Sequence, residues 1–187
     1  VLPLEFSRGC WWNKCKFCNL NLQWHGYRWK SATRMLREVE QQASCYQCLD
    51  FCFTDDALPP KETDIFFAEL GSQKIHYDFF AELRIITEPE SMPLYRKGGL
   101  TTIQVGIEAL STSLLKKMEK GSTCIENIAA MRQSAEAGIT LDGNLICEFP
   151  GSTAKEVEDT LYNLDFVFPF APLSSASFFL GHGSPVA

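Results

Sequence analysis

Three cysteines, Cys10, Cys15 and Cys18, fall within nine residues of the run Arg-Gly-Cys-Trp-Trp-Asn-Lys-Cys-Lys-Phe-Cys, directly after the apolar start Leu2 to Phe6. A segment that short reaches at most roughly 30 Å when extended, so three thiolates within it wrap one centre if they bind anything. All-sulfur ligation suits an iron–sulfur cluster or zinc. A structural zinc takes four protein ligands, and His25, the nearest candidate for a fourth, fits none of the common short spacings from Cys18. Three ligands suit a four-iron cluster better, because one iron is then left free for a small molecule. On the residues alone a zinc knuckle and a set of reduced core cysteines stay open. Cys45, Cys48 and Cys52 form a second group, read here as structural because Cys48 and Cys52 fall within or beside an apolar strand.

The elements that must position this claw alternate from end to end, which is the α/β pattern. Strands are expected over Leu2–Ser7, Cys48–Thr54, Asp78–Ile86, Thr102–Glu108, Thr140–Cys147 and Ser174–Leu180. Helices are expected over Thr33–Ser44, Glu62–Leu70, Glu90–Lys97, Thr112–Glu119, Ile125–Ala137 and Lys155–Phe166. In the fourth strand Ile103, Val105 and Ile107 share one face while Gln104, Gly106 and Glu108 share the other. The fifth strand sets Leu141, Leu145 and Cys147 against Asp142, Asn144 and Glu148; the second sets Phe51 and Phe53 against Asp50, Thr54 and Asp56. If the apolar faces meet outer helices, polar groups line the interior. A closed eight-stranded barrel fills its centre with branched side chains, so an open, partial barrel with six parallel strands and a wet cavity is expected.

In a parallel α/β barrel the loops after the strand ends gather on one rim, where ligands bind. The claw follows the first strand, Asp55 and Asp56 the second, Arg84 is late in the third, Glu108 ends the fourth, and Asn144 lies within the fifth. Each also has a plainer reading. An aspartate before Leu58-Pro59-Pro60 can cap a helix or close a turn, Glu82 and Arg84 can simply pair, Trp11 and Trp12 can be packing, and His25 and His182 are lone histidines of structural type.

The claw, with Phe17 just before its last cysteine, and the later Phe-Thr-Asp-Asp (53–56), Gly-Ile-Glu (106–108), Glu-Lys-Gly (119–121) and Phe-Pro-Gly-Ser (149–152) together resemble a radical S-adenosylmethionine (SAM) enzyme over nearly the whole chain. More narrowly, Gly9-Cys10-Trp11-Trp12, Cys-Lys-Phe-Cys-Asn-Leu-Asn and Tyr27-Arg28-Trp29-Lys30-Ser31 resemble the cobalamin-associated radical SAM proteins that mature ribosomally made peptides. Four residues separate Cys10 from Cys15 here, where the superfamily usually has three and the peptide-maturation group more. The resemblance implies a partial (β/α)6 barrel spanning 1–187, a [4Fe-4S] cluster on Cys10, Cys15 and Cys18, and SAM bound to the free iron. It further implies that Asp55 or Asp56 receives the SAM amine, Glu108 the ribose or amino end, and Arg84 the carboxylate. Asn144 is a further polar contact, Phe17 and the backbone from Ile146 to Phe149 flank the adenine, and Ser184 touches it. The usual Gly-Gly-Glu after the second strand is absent. Reductive SAM cleavage to a 5′-deoxyadenosyl radical is the implied activity, with a flavodoxin or ferredoxin as reductant. Cobalamin-dependent methylation of a peptide is the narrower implication, with the cobalamin domain expected ahead of residue 1.

The bulk properties bound the partners. A net charge of −6, from 17 basic and 23 acidic residues, argues against a nucleic-acid partner, which needs a positive face. No apolar run approaches the roughly eighteen residues of a membrane span, and no basic-then-apolar leader precedes the first strand. A tight claw among eight cysteines, without such a leader, points to the reducing cytoplasm rather than to disulfides.

Overall fold

The computed structural model describes residues 1–85, 88, 90–170, 172–181 and 186. Ile86, His182 and Ser184 therefore lie outside the described residues. Eight strands, β1 (Leu2–Leu4), β2 (Ser7–Arg8), β3 (Arg28–Trp29), β4 (Asp50–Phe53), β5 (Asp78–Leu83), β6 (Leu100–Glu108), β7 (Thr140–Cys147) and β8 (Ser174–Ser177), alternate with seven helices. These are α1 (Leu20–Gln23), α2 (Ala32–Tyr46), α3 (Pro60–Ser72), α4 (Ser91–Lys97), α5 (Thr112–Lys117), α6 (Cys124–Ala137) and α7 (Ala154–Val167). Six strands form one sheet in the order β1-β4-β5-β6-β7-β8, parallel at every step. Strand order follows chain order with a helix in each crossover, the open (β/α)6 partial barrel that the alternation of elements predicts.

Local chemistry sets the ends. Ser31 caps α2 by accepting the Arg34 amide, and Thr123 with Glu126 and Thr153 with Glu156 form capping boxes at the starts of α6 and α7. Gly138 closes α6 at a φ of 70°, a left-handed conformation that glycine adopts at little cost. Between the sheet and α3, the buried rings of Phe6, Phe51, Phe53, Phe66, Phe67 and Phe79 stack and meet edge-on at 5.1–6.0 Å. Each such ring removed from water contributes about 1.5–3 kcal/mol. On β6, Ile103, Val105 and Ile107 are buried against the helices, whereas Gln104 on the opposite face is exposed to the open interior. Alternation also puts Phe80 on the interior face, so the polar lining is interrupted there.

The first strand is shorter than the apolar run predicts. Leu4 still pairs with Phe53, but beyond it the amides of Phe6 and Ser7 turn to the Asp55 carboxylate. Ser7–Arg8 then pairs antiparallel with Arg28–Trp29, a hairpin that pinches the base of the cysteine loop. Short elements of this kind carry no periodicity, and neither β2, β3 nor α1 is evident in the sequence. Among the described residues no helix is long and apolar enough to cross a membrane.

Candidate active site

The parallel sheet gathers the expected residues at its C-terminal rim. One cavity is bounded by Cys10, Cys15, Phe17 and Cys18 from the claw, Asp56 after β4, Glu82 and Arg84 at the end of β5, Gln104, Gly106 and Glu108 of β6, Asn144 of β7, and Lys120. Thus Cys10, Cys15, Cys18, Phe17, Asp56, Arg84, Glu108 and Asn144 come together. Asp55 does not join them. Its carboxylate is 2% exposed and accepts from the Phe6 amide at 2.9 Å, the Ser7 amide, and the Ser7 hydroxyl at 2.6 Å. The Ala57 carbonyl, 2.9 Å from the same Ser7 hydroxyl, accepts from Tyr27. Burial pushes the Asp55 carboxyl up to about 6 despite these hydrogen bonds. Asp55 is the tie that bends the chain into the claw, leaving Asp56 as the aspartate facing the cavity.

Asp56 and Glu82 stand near each other. Burial raises both carboxyls, and Glu82 is raised further by the Asp56 charge. Glu108 ends β6 in a left-handed conformation, φ 61°, which re-aims its carboxylate; it pairs with Lys120 Nζ at 2.9 Å, both side chains nearly buried. Gly106 lies beneath this pair, and a Cβ there would overlap the Lys120 ammonium and the Glu108 carboxylate. Only glycine leaves that part of the cavity open.

Lys120 is the residue that motif reading passed over, although it is the centre of Glu-Lys-Gly. The structure explains the whole motif as a clamp on the claw. The Glu119 carbonyl accepts from Trp12 Nε1 at 2.8 Å, the Met118 carbonyl accepts from the Lys16 amide at 3.0 Å, and Lys16 pairs with the Glu119 carboxylate at 3.1 Å. The Lys120 carbonyl accepts from Arg84 Nη2, and Gly121, at φ 77°, lies so close to the Trp12 ring that a Cβ would run into it. Nothing in local spacing announces contacts across a hundred residues. A lysine between glutamate and glycine, next to an apolar helix, was the available signal.

Arg84 does not pair with Glu82 among the described residues. Its guanidinium lies 4.9 Å from the Trp12 ring centre and 5.3 Å from that of Trp11, and Nη1 reaches the Cys15 sulfur at 3.7 Å. Each Nη atom thus makes one contact within the protein, while Arg84 still lines the cavity. Phe17, Ile146 and Phe178 pack against a small buried cluster of Ala109, Leu114, Leu115, Met118 and Phe149, with Phe149 and Phe178 edge-to-face at 5.4 Å. An apolar wall therefore stands beside the claw where an adenine-sized ring is expected.

Burial pushes the Cys15 and Cys18 thiols up, while Lys120 and Arg84 pull Cys15 back toward the thiolate and Lys120 does the same, more weakly, for Cys18. All three claw cysteines are free thiols. Among the described residues no three His, Cys, Asp or Glu side chains converge tightly enough for a single metal ion. Zinc needs every ligand at about 2.0–2.3 Å from one point, whereas the cysteines of a cluster bind separate irons. His25 is exposed and does not line the cavity. Three thiols around one polar pocket fit the cluster better than zinc. Cys45 is exposed and Cys48 and Cys52 are half-buried; Cys52 sits on the interior face of β4, influenced by Glu82.

A family model for the radical SAM superfamily matches residues 4–162. The chain belongs to the radical SAM superfamily. Among curated relatives, it is 31% identical over 160 residues to an uncharacterized methyltransferase of Pyrococcus horikoshii, covering 83% of this chain and 34% of that protein. It is 26% identical over 161 residues to the anaerobic magnesium-protoporphyrin IX monomethyl ester cyclase of Rubrivivax gelatinosus, covering 83% and 29%. The chain thus spans about a third of the length of these relatives. Its fold resembles that of the radical SAM methyltransferase TsrM from Kitasatospora setae, solved with cobalamin and a [4Fe-4S] cluster, at a TM-score of 0.82, 17% identity, and coverage of 100% of this chain and 36% of that one. It also resembles the cobalamin-dependent radical SAM enzyme OxsB with aqua-cobalamin and SAM, at a TM-score of 0.76, 20% identity, and coverage of 100% and 28%.

Proposed function

We propose that this domain is the catalytic core of a radical SAM enzyme, with a [4Fe-4S] cluster on Cys10, Cys15 and Cys18 and SAM in the adjoining cavity. The observation that carries the reading is the convergence of three claw thiols, Asp56, Glu108 and Asn144 on one pocket at the C-terminal rim. When bound and reduced, the cluster would supply the electron that splits the sulfonium into methionine and a 5′-deoxyadenosyl radical. The chain's own residues position and shield. Asp56 is the acceptor for the SAM amine, since Asp55 is fully engaged by the backbone. Glu108, held by Lys120, presents its remaining acceptor capacity to the ribose hydroxyls or the amino end, and Asn144 adds a neutral polar contact. Phe17, Ile146 and Phe149 flank the adenine and exclude water, which strengthens the polar contacts beside them.

Methyl transfer is the favoured outcome, supported by the methyltransferase and methylase names among the relatives, including the hopanoid C-3 methylase of Methylococcus capsulatus at 27% identity over 153 residues. Cobalamin held by a further domain of the full-length protein, and a peptide as methyl acceptor, belong to the same proposal; the peptide rests on the narrower sequence resemblance alone. The test is anaerobic reconstitution with iron and sulfide, then dithionite and SAM. Brown protein that releases 5′-deoxyadenosine supports the reading. Colourless protein holding one zinc contradicts it and favours a non-catalytic metal-binding module.

A further inference from the structure

Arg84 is a half-buried cation with no carboxylate partner among the described residues. None of the ion pairs among the described residues includes it, and its Nε is buried with no hydrogen-bond partner among those residues. Its surroundings are two indole faces, the Lys120 carbonyl and the Cys15 sulfur. The other cation of the cavity, Lys120, is already matched by Glu108. A guanidinium withdrawn from water without a counter-ion is costly, and Nη1 has the Cys15 sulfur within reach at 3.7 Å. Trp11 and Trp12, themselves part of the cysteine loop, lie against the guanidinium, and Nη1 reaches the Cys15 sulfur.

We propose that Arg84 is a positioning residue that raises the reduction potential of the cluster by donating Nη1–H to the Cys15 thiolate. The inference rests on the reading that Cys10, Cys15 and Cys18 carry a four-iron cluster. Reduction places one further negative charge on that centre, taken from an external low-potential reductant. A fixed cation with an N–H directed at a ligand sulfur stabilises the electron-rich state more than the electron-poor one. The indole rings lower the local dielectric and so enlarge the effect. Arg84 thus links the strand β5 end to the electronics of the claw, a role distinct from contact with SAM.

The test is a potentiometric titration of anaerobically reconstituted protein, followed by the electron paramagnetic resonance of the reduced cluster, with iron and sulfide counted in each sample. Wild type is compared with Arg84→Lys, Arg84→Gln and Arg84→Met. Removing the charge in the Gln and Met variants is expected to lower the ratio of reduced to oxidised cluster at a fixed potential about tenfold, a fall of about 59 mV for a one-electron couple. Arg84→Lys, which keeps the charge but loses the fork and the flat stacking surface, is expected to fall by less. If the Gln and Met variants do not fold, the Lys variant carries the test with the same expected direction. A midpoint equal to or above wild type in any variant that retains wild-type iron overturns the inference alone. Loss of the cluster from all three variants would make Arg84 a structural strut and also overturns it. Wild-type protein that binds zinc or no metal overturns the cluster reading beneath it, which separates the two failures.

Discussion

The aromatic layer under α3 and the rim cavity are built from one sheet and obey opposite rules. Beneath the helix, Phe51 and Phe53 of β4 and Phe79 of β5 meet Phe66 and Phe67 in a predominantly apolar interior. At the rim, Asp56 and Glu82 are raised by partial burial, Arg84 keeps an unpartnered Nε, and Gly106 keeps space open beneath the Lys120–Glu108 pair. The first region is complete by itself, whereas the second holds charge and thiols that the fold alone does not balance. Stability is therefore concentrated in the aromatic layer and ligand capacity at the rim, and the two should respond separately to substitution.

The largest expected effect lies in the aromatic layer. Phe79→Ala removes a ring that touches five others and should cost about 3–5 kcal/mol in urea unfolding; a loss below about 1 kcal/mol would break the division. Next is the buried pair at the rim. Lys120→Met leaves the Glu108 carboxylate without its cation, which costs about 3 kcal/mol. The double variant Lys120→Met with Glu108→Leu should recover most of that loss while abolishing SAM binding, measured by equilibrium dialysis. Recovery of stability together with unchanged SAM affinity would sever Glu108 from the ligand.

The neighbouring aspartates give a finer comparison. Asp55→Ala strands the amides of Phe6 and Ser7 and should cost about 2–3 kcal/mol. Asp56→Ala should change stability by less than about 0.5 kcal/mol, yet weaken SAM binding about tenfold or more. Equal stability losses from both would erase the distinction. The last comparison is in pH. The Asp55 carboxyl sits at about 6 when folded against 3.8 when unconstrained, so the folded protein holds this proton more tightly. Its stabilising contribution is complete below about pH 4 and is lost as pH rises through 6, on the order of 3 kcal/mol. Wild-type urea midpoints should fall relative to Asp55→Asn between pH 4 and 6.5; an upward trend would contradict the assignment.

Much of this was legible in the sequence for a physical reason. Strand alternation on β6 and helix caps such as Gly138 are local, so the six-strand order and the helix ends of α2, α6 and α7 lie within a few residues of their expected places. The claw, Asp56, Glu108 and Asn144 were placed by one topological rule, that parallel strands deliver their ends to one rim. The remainder depended on partners distant in the chain. That Asp55 serves the backbone of Phe6 and Ser7, 49 and 48 residues away respectively, and that Glu119-Lys120-Gly121 grips Trp12 and Arg84, follow from packing that no residue type discloses. Asp55 and Asp56 are the same residue side by side, and only the turn after β4 decides which one faces the cavity.

The most direct measurement of the central claim is the iron and sulfide content of reconstituted protein across a cysteine series. Wild type should hold about four irons and four sulfides per chain. Cys10→Ala, Cys15→Ala and Cys18→Ala should each lose them, while Cys45→Ala, Cys48→Ala and Cys52→Ala retain them. Wild-type iron in a claw variant, or loss of the cluster from the second group, would contradict the account.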